Sequence, residues 1–159
     1  METKPLWSLW VVFGNNMNKL NLVSYNVHAL NHPIKRKKIL NQLKKLQCSI
    51  ALLQETHLTD TEHKKIKREW VNQVFYASYG KRRGVAILIG KGTPIKVEKD
   101  IKDNTGRYVL IVGSIGDMTI SILNVYAPML ITFSISKEKL PPRVWPMLLF
   151  GQVTLKAIL

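Results

Sequence analysis

The amino-acid sequence predicts a mixed α/β protein built around layered β-sheet. Its opening alternates strand-like and helix-like apolar patterns in β-α-β order, and a series of short strands separated by glycines then follows. Hydrophobic residues make up 46% of 159 residues, which is enough for one domain with a sizeable core. Because strands outnumber helices after the opening, a regular doubly wound alternation is not expected.

The β-α-β opening consists of a strand at about 20–25, a helix at about 34–46 and a strand at about 49–54. Pro33 precedes the helix, where a proline suits the first turn. Lysines and arginines occupy the side of the helix expected to face water. The apolar stripe that predicts the helix consists of Ile39, Leu40, Leu43 and Leu46.

A second, strongly charged helix is expected at about 60–70, capped by Asp60 or Thr61. Ile66 and Trp70 would form its apolar pair at i, i+4. Gly116-Asp117 is typical of a hairpin turn between the last two strands. The expected strands lie near 73–79, 85–90, 95–99, 107–113 and 118–126.

The domain is expected to span residues 19–128, between two ends of different character. Residues 1–18 are interpreted as a leader outside the domain, and 129–159 as a divergent tail without site chemistry. The apolar run at 5–14 is too short to cross a bilayer, and no small-x-small cleavage site follows it. We therefore expect an intracellular protein, nuclear or cytoplasmic, that is neither secreted nor a membrane protein.

Charge and cysteine content restrict the partner and the site chemistry. Lys and Arg number 24 against 10 Asp and Glu, a formal charge of +14. This excess favours a polyanionic partner, with nucleic acid ahead of an anionic membrane surface, although a basic protein without a specific partner stays open. The one cysteine, Cys48, excludes an internal disulfide and a multi-cysteine zinc site, and we expect a buried thiol.

Three polar side chains stand at the ends of apolar strands and predict one site at a sheet edge. Asn26 ends the first strand, Glu55 follows the second, and Tyr126 follows the last, where Asn124 shares its face by period-2 alternation. Glu55 could hold Mg²⁺ with waters and a phosphate, Asn26 could contact a metal-bound water or a phosphate oxygen, and Tyr126 could donate to a phosphoryl oxygen. The alternatives are a surface ion pair, a turn-forming asparagine and a core aromatic.

Other motifs for site chemistry are absent from the sequence. The four histidines lack the spacing of a metal cluster, and no P-loop or Gly-x-Ser-x-Gly pattern occurs. The basic turn Lys81-Arg82-Arg83, with the basic face of the helix at 34–46, could follow a phosphate backbone. Ordinary solvated charge is the alternative.

Five segments follow one another along the chain in a recognisable order. They are Ser24-Tyr25-Asn26-Val27-His28-Ala29-Leu30-Asn31, Pro33-Ile34-Lys35-Arg36, Leu53-Gln54-Glu55-Thr56-His57-Leu58, Gly84-Val85-Ala86-Ile87-Leu88 and Leu123-Asn124-Val125-Tyr126-Ala127-Pro128. Together they resemble the endonuclease/exonuclease/phosphatase superfamily, and most closely the endonuclease domain of LINE-type retrotransposons. The resemblance covers Leu20 to Pro128, and the Thr56-His57-Leu58 extension favours the retrotransposon branch.

The resemblance implies a four-layered α/β sandwich, with two sheets face to face and helices outside. It implies hydrolysis of DNA phosphodiester bonds with Mg²⁺ or Mn²⁺. By matching position, Glu55 resembles the metal-binding carboxylate, Asn26 the first active-site asparagine beside the metal, and Tyr126 the tyrosine that supports the scissile phosphate. In such a mechanism an Asp/His pair prepares the attacking water.

The chain departs from the family pattern at several positions. His28-Ala29 stand where the family has Asn-Gly, and Met129 stands where it has Asn. The later Gly-Asp-Phe-Asn and Ser-Asp-His motifs are absent, so we expect an incomplete sandwich, lacking its second half, that does not cleave DNA alone. The alternatives are a non-catalytic basic fragment that binds DNA or RNA, and a phosphatase acting on a small phosphorylated substrate.

Overall fold

The computed structural model describes residues 7–13, 18–66, 69–126 and 147–150, which form two sheets and two helices. The helices are α1 (Pro33–Lys45) and α2 (Asp60–Lys64). The first sheet contains β1 (Trp7–Phe13), β2 (Asn18–Asn26), β3 (Ile50–Gln54), β4 (Val71–Tyr79) and β5 (Arg83–Gly90). The second sheet contains β6 (Lys96–Lys102), β7 (Tyr108–Ile115), β8 (Met118–Val125) and β9 (Met147–Phe150).

The first sheet has the order β1-β2-β3-β5-β4, and α1 connects β2 to β3. This connection makes β2 and β3 parallel, whereas the other pairs in the sheet are antiparallel. Parallel neighbours end at the same sheet edge, and Asn26 is the register partner of Gln54. The β-α-β opening is confirmed. It places the end of β2, at Asn26, beside the end of β3, at Gln54.

The second sheet has the order β6-β7-β8-β9. Its first three strands form an antiparallel meander, and β9 pairs with β8 in parallel. The β7–β8 turn contains Gly116 at φ +57°, a conformation that favours glycine, so the predicted hairpin turn is confirmed.

The two sheets pack face to face over an apolar core. Alternate residues of each strand supply it, as the period of a β-strand requires. The first sheet contributes Leu20, Leu22, Ile50, Leu52, Val85, Ile87 and Ile89, and the second Val109, Ile111, Ile120 and Ile122.

A helical layer covers the other face of the first sheet. Ile39 and Leu43 of α1 pack there against Val23, Ala51 and Leu53. The described residues therefore form three successive layers, helix on sheet on sheet, and the predicted mixed α/β fold with two packed sheets is confirmed. Both described helices lie on this one side, and none of the described helices is long and apolar enough to span a membrane.

The expected leader needs correction at 7–13. These residues form β1, an edge strand of the first sheet, and pair antiparallel with β2 from Trp7↔Ser24 to Phe13↔Asn18. The apolar run that was too short for a bilayer is long enough for a strand, which needs only 3–10 residues. In the tail, β9 extends the second sheet, while residues 127–146 and 151–159 lie outside the described part.

The second helix is much shorter than expected. It ends at Lys64, not near residue 70, and its cap is Thr59, not Asp60 or Thr61. The Thr59 hydroxyl accepts from the Glu62 N–H at 3.3 Å, and the Glu62 carboxylate accepts from the Thr59 N–H at 3.0 Å. This capping box fixes the helix start. Ile66 is buried in the core instead of continuing a helical stripe.

Candidate functional site

Asn26 and Glu55 meet at the common end of β2 and β3. The Asn26 Nδ2 donates to Glu55 Oε1 at 3.1 Å. Beyond the strands the two chains stay joined, because the Val27 N–H donates to the Gln54 carbonyl at 3.0 Å and the Ala29 N–H to the Glu55 carbonyl at 2.8 Å. The pair is therefore held by backbone on both sides, as a preorganised site requires.

His28 contacts the same Glu55 carboxylate. Its Nδ1 lies 2.9 Å from Glu55 Oε2, and its backbone N–H donates to Asn26 Oδ1 at 3.2 Å. The carboxylate oxygen can only accept, so this Nδ1 carries the proton in the contact. The Glu55 side chain is 15% exposed and that of His28 is 43% exposed. His28 thus forms the solvent side of the site and occupies oxygens that could bind a ligand.

Tyr126 reaches the site from the second sheet. Its backbone N–H donates to the Arg107 carbonyl at 2.7 Å, directly after β8, and its phenol hydrogen-bonds Glu55. Burial first, and then the hydrogen bond and the negative charge of Glu55, raise the pKa of Tyr126 to about 12, while Arg83 acts to lower it. At neutral pH the phenol keeps its proton and donates it to the carboxylate.

Asn124 locks the two sheets together beneath the site. It is fully buried, and its Nδ2 donates to the Leu53 and Ala86 carbonyls, both at 2.9 Å. Its Oδ1 accepts from Gln54 Nε2 at 2.8 Å, and that nitrogen also lies 3.2 Å from the Ser24 hydroxyl. The predicted shared face of Asn124 and Tyr126 is confirmed, because both contact the first sheet. Asn124 therefore fixes the position of Tyr126 relative to Glu55.

Behind Glu55, Thr56 and His63 form a buried polar pair. The His63 Nδ1 lies 3.0 Å from the Thr59 carbonyl and must donate to it, so Nε2 accepts from the Thr56 hydroxyl at 2.9 Å. Burial lowers the pKa of His63 to about 4, and its ring stacks on Tyr76 at 4.5 Å. This histidine is neutral, fully bonded and structural.

Residues with positive φ concentrate around the site. Of the six described non-glycine residues with positive φ, four lie here: His28 (+47°), Ala29 (+70°), Glu55 (+54°) and His57 (+53°). Non-glycine residues seldom adopt this conformation, and strain of this kind gathers where a structure must hold an unusual geometry. Asn and Gly are the residues that tolerate it best, so an Asn-Gly pair would fit positions 28 and 29 with less strain than His28-Ala29.

Two cationic side chains flank the cluster. The Lys35 ammonium, on the first turn of α1, donates to the His28 carbonyl at 2.5 Å. Arg83, the first residue of β5, lies near enough to Tyr126 to lower its pKa, and its guanidinium sits 5.6 Å from the centre of the Tyr79 ring. One residue from each predicted basic segment therefore stands beside the site.

The donor atoms at the site suit a hard divalent cation. Glu55 supplies a carboxylate and Asn26 an amide oxygen, and Mg²⁺ is commonly held by one or two protein oxygens together with waters and substrate phosphate. Within the described residues, no group of three or more His, Cys, Asp or Glu side chains could hold a metal. These residues fit a water-rich Mg²⁺ site and do not form a closed protein cage.

The structure brings the predicted residues Asn26, Glu55 and Tyr126 together, while their catalytic and metal-binding roles stay predictions. Sequence reasoning missed His28 as a partner of Glu55 and Gln54 as the cross-sheet contact of Asn124. The signal for His28 was its position two residues after Asn26 in a turn. Cys48 is buried as expected, and burial raises its pKa to about 12.

No protein-family model matches the chain, but several solved structures are similar to it. TDP2 from Caenorhabditis elegans matches with a TM-score of 0.54 at 22% identity, covering 69% of this chain and 35% of that chain. The catalytic domain of APE2 from Xenopus laevis matches with 0.52 at 19%, covering 67% and 45%. The AP endonuclease LMAP from Leishmania major matches with 0.53 at 15%, covering 74% and 45%.

These similarities establish the fold. It is the endonuclease/exonuclease/phosphatase fold. At these identities the likeness is one of architecture alone. The chain spans less than half the length of each of the three structures.

Proposed function

We propose that this chain supplies the metal- and phosphate-binding half of a DNA endonuclease site of the LINE retrotransposon type. The proposal rests mainly on one observation. Asn26 from the first sheet and Tyr126 from the second both contact the Glu55 carboxylate, so the ends of three strands meet at one site. The nuclease-like fold and the ordered motifs around these residues support it. The retrotransposon assignment rests on the Thr56-His57-Leu58 extension.

Each residue has a distinct part in the proposed site. Glu55 and Asn26 would hold Mg²⁺, or Mn²⁺ in its place, which when bound would neutralise charge developing on the phosphate oxygens. Tyr126 keeps its proton at neutral pH and can turn its donor from Glu55 to a phosphoryl oxygen. Such preorganised donors act where charge develops in the transition state. His28 would have to leave Glu55 when the ion binds.

DNA is the proposed substrate because the site is surrounded by positive charge. Lys35 contacts the His28 carbonyl, Arg83 lies near Tyr126, and the whole chain carries a formal charge of +14. The Lys35 ammonium and the Arg83 guanidinium would contact the phosphates next to the scissile one.

We propose further that this chain alone does not complete hydrolysis. Water activation requires a general base. His63 cannot serve as this base, because both of its ring nitrogens are hydrogen-bonded within the protein. The sequence also lacks the Gly-Asp-Phe-Asn and Ser-Asp-His motifs.

A plasmid-nicking assay with Mg²⁺ tests this proposal. The unmodified chain and Glu55→Ala should leave supercoiled DNA equally intact, at protein concentrations where both bind it. Nicking by the unmodified chain that disappears in Glu55→Ala would show that the site is complete as it stands.

A second candidate function is non-catalytic nucleic-acid binding, which the charge of +14 favours by itself. Binding of this kind would be independent of sequence and would weaken as salt rises, because counterions are released from the phosphates. Binding of DNA and RNA at two salt concentrations tests it. Affinity that stays constant between them would count against it.

A further inference from the structure

A second cleft, of about 600 Å³, opens at the other end of the first sheet. It lies where β2 and β3 begin and β5 ends, whereas Asn26 and Glu55 stand where β2 and β3 end. From Lys19 to Asn26, β2 advances about 3.3 Å per residue, so the cleft and the site are separated by roughly 20 Å. The cleft is therefore distinct from the proposed metal site, and a ligand could bind there whether or not the proposed function holds.

The cleft is lined by three lysines from three separate elements. Lys19 comes from β2, Lys44 from the last turn of α1, and Lys91 from the turn after β5. Lys44 and Lys91 place two exposed positive charges at a cleft whose described lining contains no carboxylate. Such a site attracts an anion, and phosphate is the anion that ammonium groups commonly bind.

One wall of the cleft is a half-buried indole held in a fixed orientation. The Trp70 Nε1 donates to the Leu40 carbonyl at 3.0 Å, and the Lys91 N–H donates to the Trp70 carbonyl at 2.7 Å. The neighbouring backbone is also fixed, because the Ser49 carbonyl accepts from the Gly90 N–H at 2.8 Å and from the Thr93 hydroxyl at 3.2 Å. A rigid aromatic wall beside ammonium groups suits stacking of a base whose phosphate lies nearby.

We propose that this cleft binds single-stranded nucleic acid, with a base against Trp70 and successive phosphates on Lys44 and Lys91. Its volume is within the range of small-ligand pockets, about 300–1,000 Å³, so it can accept a nucleotide unit. A duplex would keep its bases paired and away from the indole. Because the lysines come from separate elements, each can contact a different phosphate of a strand. A mononucleotide would offer them a single terminal phosphate.

The experiment uses the full chain and a fluorescein-labelled ten-residue oligothymidylate. Anisotropy at several salt concentrations gives the affinity of the unmodified chain, of Lys44→Ala/Lys91→Ala and of Lys64→Ala/Lys99→Ala. The last variant removes two exposed lysines outside the cleft and matches the change in charge. Quenching of tryptophan fluorescence by the unlabelled strand is compared between the unmodified chain and the conservative variant Trp70→Phe.

We expect the cleft variant to reduce the slope of log affinity against log salt by about 1.4, since each single-strand phosphate contact contributes about 0.7. The matched control should keep the original slope, and Trp70→Phe should lose the quenching. Equal loss in both lysine variants, or quenching that persists in Trp70→Phe, would overturn the proposal. Free thymidine monophosphate that competes as well as the strand would also overturn it, in favour of a mononucleotide site.

Discussion

Replacing Ala29 with glycine should stabilise the protein, although the substitution removes a methyl group. Ala29 has φ +70°, and its N–H donates to the Glu55 carbonyl at 2.8 Å, so the loop cannot relax without breaking that bond. A left-handed conformation costs a residue with a Cβ about 1–2 kcal/mol. Glycine avoids this cost but loses about 0.4–1 kcal/mol through the greater freedom of the unfolded chain. The difference between these two terms is an increase of about 1 kcal/mol in the free energy of unfolding.

Urea unfolding of Ala29→Gly, followed by circular dichroism, measures this gain. Thermal unfolding should show a rise of about 2–4 °C for a chain of this size. Gly80→Ala is the matched opposite change, because Gly80 has φ +53° and a Cβ there would meet no atom within 4 Å. It should lose about 1 kcal/mol through backbone strain alone. A neutral or destabilising Ala29→Gly, alongside the expected loss in Gly80→Ala, would refute strain at the site.

Three further predictions concern the groups around the site. Asn124→Ala should lower the free energy of unfolding, measured in urea, by about 3 kcal/mol, because the buried Leu53 and Ala86 carbonyls each lose a hydrogen-bond donor. A loss below about 1 kcal/mol would contradict the role of Asn124 in joining the two sheets. The pKa of His63 is about 4 in the folded protein against 6.5 when unperturbed, so the unfolded chain takes up the proton first as the pH falls. The free energy of unfolding should therefore be level above about pH 6.5 and drop by about 3 kcal/mol towards pH 4. The same pH dependence in His63→Gln would contradict this assignment to His63. His28→Asn should bind Mn²⁺ about tenfold more tightly, because it removes a charge-assisted contact that competes for Glu55, and unchanged affinity in isothermal titration calorimetry would exclude that competition.

The sequence predicts the sheets well because their signals are local. Apolar runs predict β3, β5, β7 and β8 to within about two residues, with glycines at or near the ends of the last three, and Pro33 predicts the start of α1. The convergence of Asn26 and Glu55 also follows from the sequence, because a helix between two strands makes them parallel and brings their ends together.

The features that the sequence does not predict depend on long-range pairing. The strand at 7–13 becomes recognisable only when β2 offers an edge to pair with. The short α2 ends where Ile66 turns into the core, which a helical pattern cannot show. His28 meets Glu55 only because the chain adopts positive φ at residues 28 and 29, which L-residues in general disfavour. The cleft at Trp70 combines four segments from distant parts of the chain.

Binding of Mn²⁺ to the full chain, measured by electron paramagnetic resonance, tests the proposed site most directly. The signal of free Mn²⁺ should fall as one ion binds, and Glu55→Gln, which keeps the shape but not the charge, should abolish that binding. Tyr126→Phe should retain it, because the phenol is proposed to contact the phosphate and not the ion. Equal Mn²⁺ binding by the unmodified chain and by Glu55→Gln would contradict a metal site formed by Asn26 and Glu55.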